Sequence, residues 1–382
     1  MAPFRYHQEQ QPDMAMAGLP KSLAASQVRH LAEIAGLPED EAAQLDAVAR
    51  RYAFRANDYY LDLIDWDDPD DPIRRLIIPD LAELAEGGQL DASDEAANTV
   101  VRGVQHKYRD TALVLTAGTC AAYCRYCFRK RLFMRHNEEA ARDFEPAFDY
   151  IGRHREITDV LLTGGDPLVL RTRRLGPVMK RFAAMPHVRT LRVGSKVPAF
   201  YPFRILDDPA LLDLIAGIVE RGTAVYLMAH FDHPRELTPA ARAGILAVQQ
   251  AGGHVVNQCP LICGVNDDAD VLAELFQTVT ELGAPQYYLF QGRPTAGNRA
   301  YEVPLVEGWR LFDTARRRCS GLARRVRYSM SHATGKIEIL GIDAKRIWLR
   351  YHRAKDPALE SRVFACRRDD EAAWFDDLRV VH

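Results

Sequence analysis

Ala112-Leu-Val-Leu-Thr116 is followed directly by Ala-Gly-Thr-Cys120-Ala-Ala-Tyr-Cys124-Arg-Tyr-Cys127-Phe-Arg-Lys-Arg131. The first part is a short run of apolar and β-branched residues, which is typical of a buried strand. The second part begins with a glycine turn and holds three cysteines at C-x3-C-x2-C spacing. The stretch therefore predicts a strand whose carboxyl end carries a thiol-rich loop.

The same unit, a short apolar run followed by a helical stretch, recurs along the chain. Six strands are predicted at Ala112–Thr116, Asp159–Thr163, Thr190–Gly194, Ala224–Ala229, His254–Gln258 and Gln286–Phe290. The intervening helices are predicted at Glu138–Arg153, Thr172–Met185, Pro209–Arg221, Pro239–Ala251, Ala269–Leu282 and Leu305–Arg324. Because each helix returns the chain to the same edge of the sheet, the strands should be parallel. We expect functional side chains to gather at their carboxyl ends.

Four regions follow from the change in pattern along the chain. They are a loose N-terminal arm over 1–25, an N-terminal helical region over 26–105, an α/β core over 106–325 and a β-rich closure over 326–382. Within the helical region, a pair of helices is predicted between Ser26 and Asn57, with a break at Gly36-Leu-Pro. The predicted fold class is thus α/β with an extension at each end.

The composition excludes several classes of protein. Fifty basic and 52 acidic residues give a net charge of −2, so no overall field attracts nucleic acid or an anionic membrane. No apolar run is long enough to span a bilayer, and the first residues resemble no signal peptide. We therefore expect a cytoplasmic protein without nucleic-acid or membrane partners. Seven cysteines in such a chain argue for metal binding or reduced thiols rather than disulfides.

The three clustered cysteines allow two kinds of metal site. A zinc knuckle needs a fourth ligand, and no Cys or His partner pair stands elsewhere in the chain. Three thiolates can instead hold three irons of a 4Fe–4S cluster and leave one iron open, while the neighbouring cations offset the cluster charge. The pattern favours an iron–sulfur cluster held by Cys120, Cys124 and Cys127.

This spacing, with an aromatic residue before the last cysteine, resembles the signature of the radical S-adenosylmethionine (SAM) superfamily. Between about His106 and Lys336, further motifs resemble the lysine 2,3-aminomutase family in their order. The resemblance implies a partial (β/α)6 barrel and a cluster whose open iron binds SAM and cleaves it to a 5′-deoxyadenosyl radical. The residues that it implies for positioning SAM are Gly164, Gly165, Asp166, His230 and Gln258.

The family also uses pyridoxal 5′-phosphate (PLP), attached to a lysine, to move an amino group between neighbouring carbons. The resemblance assigns this lysine to Lys336, after Thr334-Gly335, where the family carries a longer glycine-rich loop. It assigns the cofactor phosphate to the segment that contains Lys107 and Tyr108. Family members carry two arginines there, whereas this chain has Lys107 and Thr111. Lysine lacks the bidentate fork of arginine, so PLP is held differently, weakly or not at all.

Two arginines bear on the substrate. Arg129 matches the family arginine that pairs with the substrate α-carboxylate. Lysine-acting members carry an Asp where this chain has Arg293, shortly after Tyr287-Tyr288. A cation there would repel the far ammonium group of lysine and could donate to a distal carboxylate or another acceptor. We therefore expect a small amino-acid substrate other than lysine.

The leading hypothesis is a PLP-dependent radical SAM 2,3-aminomutase, an isomerase. One alternative keeps the cluster and SAM, lacks PLP and abstracts hydrogen for another reaction. The other is a non-enzymatic iron–sulfur redox carrier or sensor. The enzyme hypotheses imply an electron donor such as flavodoxin or ferredoxin, and the resemblance allows a homo-oligomer. The zinc site that lysine-acting members form between subunits is not expected, because only Cys366 follows Cys319.

Overall fold

The computed structural model describes residues 27–134 and 137–381, so the predicted N-terminal arm lies outside the described residues. The strands are β1 (Gln27–Val28), β2 (Ala56–Asn57), β3 (Thr99–Val101), β4 (Val104–Tyr108), β5 (Thr111–Ala117), β6 (Asp159–Gly164), β7 (Thr190–Ser195), β8 (Ala224–Ala229), β9 (His254–Pro260), β10 (Gln286–Phe290), β11 (Arg327–His332), β12 (Gly335–Ile342), β13 (Arg346–Ala354), β14 (Val363–Arg367) and β15 (Val380–Val381). The α-helices are α1 (Glu39–Arg51), α2 (Asp58–Leu61), α3 (Pro72–Ile77), α4 (Glu145–Arg153), α5 (Thr172–Ala183), α6 (Val197–Phe200), α7 (Phe203–Leu206), α8 (Pro209–Val219), α9 (Pro239–Gln250), α10 (Ala269–Glu281) and α11 (Leu305–Arg318).

Thirteen strands, β3 to β15, form one mixed sheet in sequence order. Its centre, β5 to β11, is parallel, and both edges are antiparallel. The α/β class is therefore confirmed, while the sheet of described strands is open and the curvature of a partial (β/α)6 barrel stays a prediction. Six parallel strands were predicted, whereas the described residues form seven. The additional strand is β11, which was assigned to the closure and pairs in parallel with β10. The crossover helix α11 between them explains this direction.

The central strands separate the apolar core from a cavity. Val160, Leu191 and Val225 are partners in successive strands, and each is at most 2% exposed in the core shared with α5 and α8. The alternate residues Leu161 and Arg192 line the cavity. Because neighbouring residues of a strand face opposite sides, one face of the sheet is covered by helices and the other carries the site.

Three predicted helices were wrong in extent, one of which, α11, ends at Arg318 rather than Arg324. α4 begins at Glu145 rather than Glu138, because Pro146 fits only the first turn of a helix. The first member of the predicted N-terminal pair is a 3-10 turn at Leu31–Glu33, since the run before Gly36 is too short to sustain an α-helix. Among the described residues, no helix combines the length and the apolar character needed to cross a bilayer.

Candidate active site

A cavity of about 340 Å³ lies against the inner face of the sheet. All of the site residues predicted from the sequence line it: Lys107, Tyr108, Cys120, Cys124, Cys127, Arg129, Gly164, Gly165, Asp166, His230, Gln258, Arg293 and Lys336. Its wall runs from the cysteine loop beyond β5 to Thr111, the first residue of β5. The expectation that the site gathers at the carboxyl ends of the strands was therefore only partly right.

The cysteine loop presents three thiols to this cavity. Cys120, Cys124 and Cys127 form no disulfide bonds, and each residue is partly exposed. Burial of the thiol group nevertheless raises the pKa of each cysteine. Their thiolate forms therefore require positive partners, as bound iron would provide. In the described part of the chain, no three His, Cys, Asp or Glu side chains converge on one ion position. A 4Fe–4S cluster does not require this, because each thiolate binds a different iron.

Backbone contacts attach the loop to the N-terminal region. The amide of Tyr123 donates to the Arg55 carbonyl (2.9 Å), and the amide of Arg125 donates to the Leu76 carbonyl (3.0 Å). The Arg55 guanidinium also donates to Thr119 Oγ1 (2.5 Å). The loop conformation that presents the cysteines thus depends on residues outside the strand–helix core.

Buried glutamates form ion pairs with the cations of the loop. Arg125 forms a bidentate pair with Glu83 (2.9 and 2.8 Å), and these side chains are only 2% and 0% exposed. Arg131 pairs with Glu95 at 2.6 Å. Lys130, Arg129 and Arg131 still counteract the rise in the Cys127 pKa that burial causes, so the expectation that the loop cations offset a cluster charge stays a prediction.

Glu95 also contacts Arg129, the residue predicted to bind the substrate carboxylate. It accepts from Nε (2.9 Å) and Nη2 (2.6 Å) of Arg129, while Thr163 accepts from Nη1 (2.9 Å). Burial alone would raise the pKa of Glu95, but Arg129 holds it well below its usual range. These bonds use three of the five donors of Arg129, and two remain for a ligand. Sequence reasoning missed Glu95, because no motif surrounds it.

Asp166 has a framework role that the glycine motif did not reveal. Its carboxylate accepts from Ser195 Oγ (2.9 Å) and from the backbone amides of Leu168 (2.9 Å), Lys196 (2.8 Å) and Val197 (3.1 Å). Adjacent Gly165 has no room for a side chain, since a Cβ would lie 2.3 Å from the Thr119 carbonyl oxygen. The Gly164-Gly165-Asp166 motif therefore holds the end of β6 against the cysteine loop.

His230 directly follows the end of β8, and Gln258 lies near the end of β9; the two strands are neighbours, since Ala229 of β8 pairs with Asn257 of β9. His230 Nε2 contacts Asp232 (2.9 Å) and Tyr126 Oη (3.2 Å). These contacts orient the imidazole at the cavity wall, next to the last turn of the cysteine loop.

A buried charged network supports this wall. Lys196 Nζ donates to Asp232 (2.6 Å) and Glu236 (2.7 Å), and Tyr60 Oη donates to Glu236 (2.6 Å). Burial opposes both charges, yet the coulombic attraction raises the pKa of Lys196 and lowers that of Asp232. No role was predicted from the sequence for these residues.

Lys336 lies in strand β12 rather than in the predicted loop. Its amine faces the rings of Tyr288 (4.2 Å to the centroid) and Phe290 (4.5 Å). Burial and then nearby cations hold its pKa well below the usual value. These surroundings favour the neutral amine, which is the form that a lysine nucleophile requires.

The residue before Lys336, Gly335, has no room for a side chain. A Cβ there would lie 2.2 Å from the carbonyl oxygen of Arg353 on β13. The Thr334-Gly335-Lys336 sequence thus lets β12 approach β13 closely.

Lys107 and Arg293 are two further cations at the cavity. Lys107 Nζ donates to the His332 carbonyl, and burial lowers its pKa to about 8. The Arg293 guanidinium stacks on Phe128, 3.6 Å from the ring centroid, and burial lowers its pKa to about 10. Among the described residues, the hydrogen bonds of Arg293 involve only its backbone.

Three relatives illustrate the similarity to known proteins. A "Putative L-lysine 2,3-aminomutase" of Aquifex aeolicus is 51% identical over 342 residues, 89% of this chain and 91% of the relative. An L-lysine 2,3-aminomutase of Acetoanaerobium sticklandii is 32% identical over 69% of this chain and 63% of its own. A glutamate 2,3-aminomutase of Clostridioides difficile is 30% identical over 77% of this chain and 68% of its own.

No protein-family profile matches the chain. The Aquifex relative is nevertheless more than half identical over nearly its whole length. The similarity therefore covers both the cysteine loop and the strands that line the cavity. The chain belongs to the lysine 2,3-aminomutase family of radical SAM enzymes.

Proposed function

We propose that this protein is a PLP-dependent radical SAM 2,3-aminomutase whose substrate is a small amino acid other than lysine. One observation carries the proposal: a single cavity contains both the three-cysteine loop and Lys336, a half-buried lysine with a lowered pKa. A redox carrier needs no such lysine. A radical SAM enzyme without PLP would not need its amine to be neutral.

The residues fit the groups that the family uses. Cys120, Cys124 and Cys127 would hold the cluster, and the strand ends at Gly164 and His230 would contact SAM. When bound, the cluster and SAM supply a radical that abstracts hydrogen, and PLP supplies the aldehyde carbon that carries the amino group while it moves between two substrate carbons. The protein's part is to position these groups in one water-poor cavity.

Lys336 would hold PLP through its neutral amine. Its surroundings favour this form, because desolvation and several neighbouring cations both disfavour an ammonium. Tyr288 and Phe290 limit the directions that the side chain can take. The same cations give this end of the cavity a potential that suits a phosphate.

Arg129 and Arg293 would bind the two ends of the substrate. The two remaining donors of Arg129 suit the α-carboxylate, and its pair with Glu95 keeps the guanidinium in place. Arg293 has no side-chain hydrogen bond among the described residues and can donate to a distal carboxylate or amide. The names of the relatives include both lysine and glutamate enzymes, and Arg293 favours a substrate of the glutamate type.

Three further expectations belong to this proposal. An external donor such as flavodoxin or ferredoxin reduces the cluster, since the chain has no second cysteine motif. A cytoplasmic location provides the reducing conditions that thiol-bound iron needs. The homo-oligomer that the resemblance allows can be checked by light scattering.

The test is anaerobic reconstitution with iron, sulfide, SAM and PLP, followed by incubation with lysine, glutamate, glutamine and other amino acids. We expect β-amino products from an acidic or neutral substrate. Borohydride reduction and peptide mapping should locate the PLP label on Lys336, and Lys336→Ala should lose it. Label on Lys196 or Lys345 would refute the assignment of Lys336. SAM cleavage without any label would favour the PLP-independent alternative, and no SAM cleavage would favour the redox carrier.

A further inference from the structure

The segment that carries a phosphate-binding arginine in the family has a threonine here, Thr111. The structure brings an arginine to this threonine from a distant part of the chain. Arg353 of β13 donates from Nη1 to Thr111 Oγ1 at 3.1 Å. Both residues line the cavity. The Arg353 guanidinium therefore lies beside residue 111, the position at which the family carries an arginine.

Arg353 also lies next to Lys336. The two residues are register partners across the antiparallel pair β12–β13, and Arg353 is one of the cations that lower the Lys336 pKa. In PLP, the aldehyde and the phosphate arm are attached to neighbouring ring carbons. Any group that binds the phosphate must therefore be close to the lysine that holds the aldehyde carbon.

The aromatic side chain of Tyr108 connects the two cations. The Arg353 guanidinium lies 4.4 Å from its ring centroid, and Lys107 Nζ lies 5.6 Å from it on the same segment. Arg109, the arginine nearest in sequence, is exposed and does not line the cavity. Position in space, rather than in sequence, thus singles out Arg353.

We propose that Arg353 is the second phosphate-binding cation of the PLP site, with Lys107 as the first. The proposal rests on the PLP dependence proposed above. Arg353 uses one donor on Thr111 and one on Asp110, so three of its five donors remain for phosphate. Its planar fork supplies the bidentate binding that Lys107 cannot give.

The competing explanation is that Arg353 only fastens β13 to the β4–β5 turn through Asp110. The side chains of this pair are 25% and 55% exposed, respectively. Solvent-exposed ion pairs contribute little to stability. Attachment of β13 to the β4–β5 turn therefore does not by itself explain why an arginine lines the cavity at this position.

The experiment compares PLP with pyridoxal, which has the same aldehyde and no phosphate. Both are titrated by absorbance into the full-length chain depleted of PLP. The wild type should prefer PLP, and Arg353→Met should reduce that preference about tenfold to a hundredfold, the worth of a charge-assisted bond. Pyridoxal binding should stay nearly unchanged. Asp110→Asn, which keeps Arg353 and removes its internal partner, should keep the preference.

Thr111→Arg in the Arg353→Met background provides the second arm. It returns an arginine to the family position and should restore the preference for PLP. If Arg353→Met keeps the wild-type preference, or weakens both ligands equally, the inference is overturned and PLP dependence stands. If the wild type shows no affinity for either ligand, PLP dependence itself fails and the inference fails with it.

Discussion

Glu83→Gln should destabilise the fold strongly and loosen the cysteine loop. Glu83 is fully buried and accepts from Arg125 at 2.9 and 2.8 Å, and Lys130 Nζ lies 3.6 Å away. The amide would leave two buried cations without a negative partner, which costs about 3–5 kcal/mol for a broken buried pair. For a chain of this length the unfolding entropy is about 0.8 kcal/mol per kelvin, so we expect the melting temperature to fall by about 4–6 °C.

The assay is thermal unfolding followed by circular dichroism, with iron content measured on the same samples. Asp46→Asn is the matched control, because it breaks a pair with Arg50 whose side chains are 53% and 70% exposed. It should shift the midpoint by less than about 1 °C. Glu83→Leu with Arg125→Met removes the charges of the pair together and should recover part of the loss. A Glu83→Gln midpoint equal to that of the control would refute the reasoning.

Three further outcomes are expected at the cavity. Ala at Cys120, Cys124 or Cys127 should abolish the visible cluster absorption and SAM cleavage; about four irons per chain in the triple variant would show that these cysteines do not hold the cluster. Asp166→Asn should weaken SAM binding about tenfold to a hundredfold at unchanged iron content, because it removes the negative charge proposed to bind the SAM ammonium; equal affinity in a titration would restrict Asp166 to its hydrogen bonds with Ser195 and the backbone. Arg293→Asp should abolish turnover of the acidic or neutral substrate, whereas exposed Arg299→Met should not; lysine as the best wild-type substrate would show that Arg293 does not select the substrate.

The parallel core could be predicted because its signals are local. β8 and β10 begin and end at their predicted residues, since each apolar run is bounded by polar or turn residues. The cysteine motif and the strand-end motifs share one cavity because parallel strands bring their ends to one edge of the sheet. These inferences needed only sequence spacing and the direction of the strands.

The charged partners of the site could not be predicted in this way. Glu83 and Glu95 lie far from the cysteine loop in sequence, and a lone glutamate in a polar segment carries no periodic signal. Arg353 lies on a strand that was recognised only as part of a β-rich closure. Its approach to Thr111 depends on β13 pairing with β12, which requires tertiary structure.

The distribution of charge in the cavity supports selection against a lysine substrate. After burial, the causes that lower the pKa of Lys336 are the nearby cations Arg192, Arg293, Arg353 and Lys107. Asp232 and Glu236 both form ion pairs with Lys196. Glu95 is likewise paired with two arginines. Under the proposed function, a lysine substrate would bring its far ammonium towards Arg293, whose side chain makes no hydrogen bond among the described residues. The proposed selection against lysine would therefore draw on the cations around Lys336 as well as on Arg293.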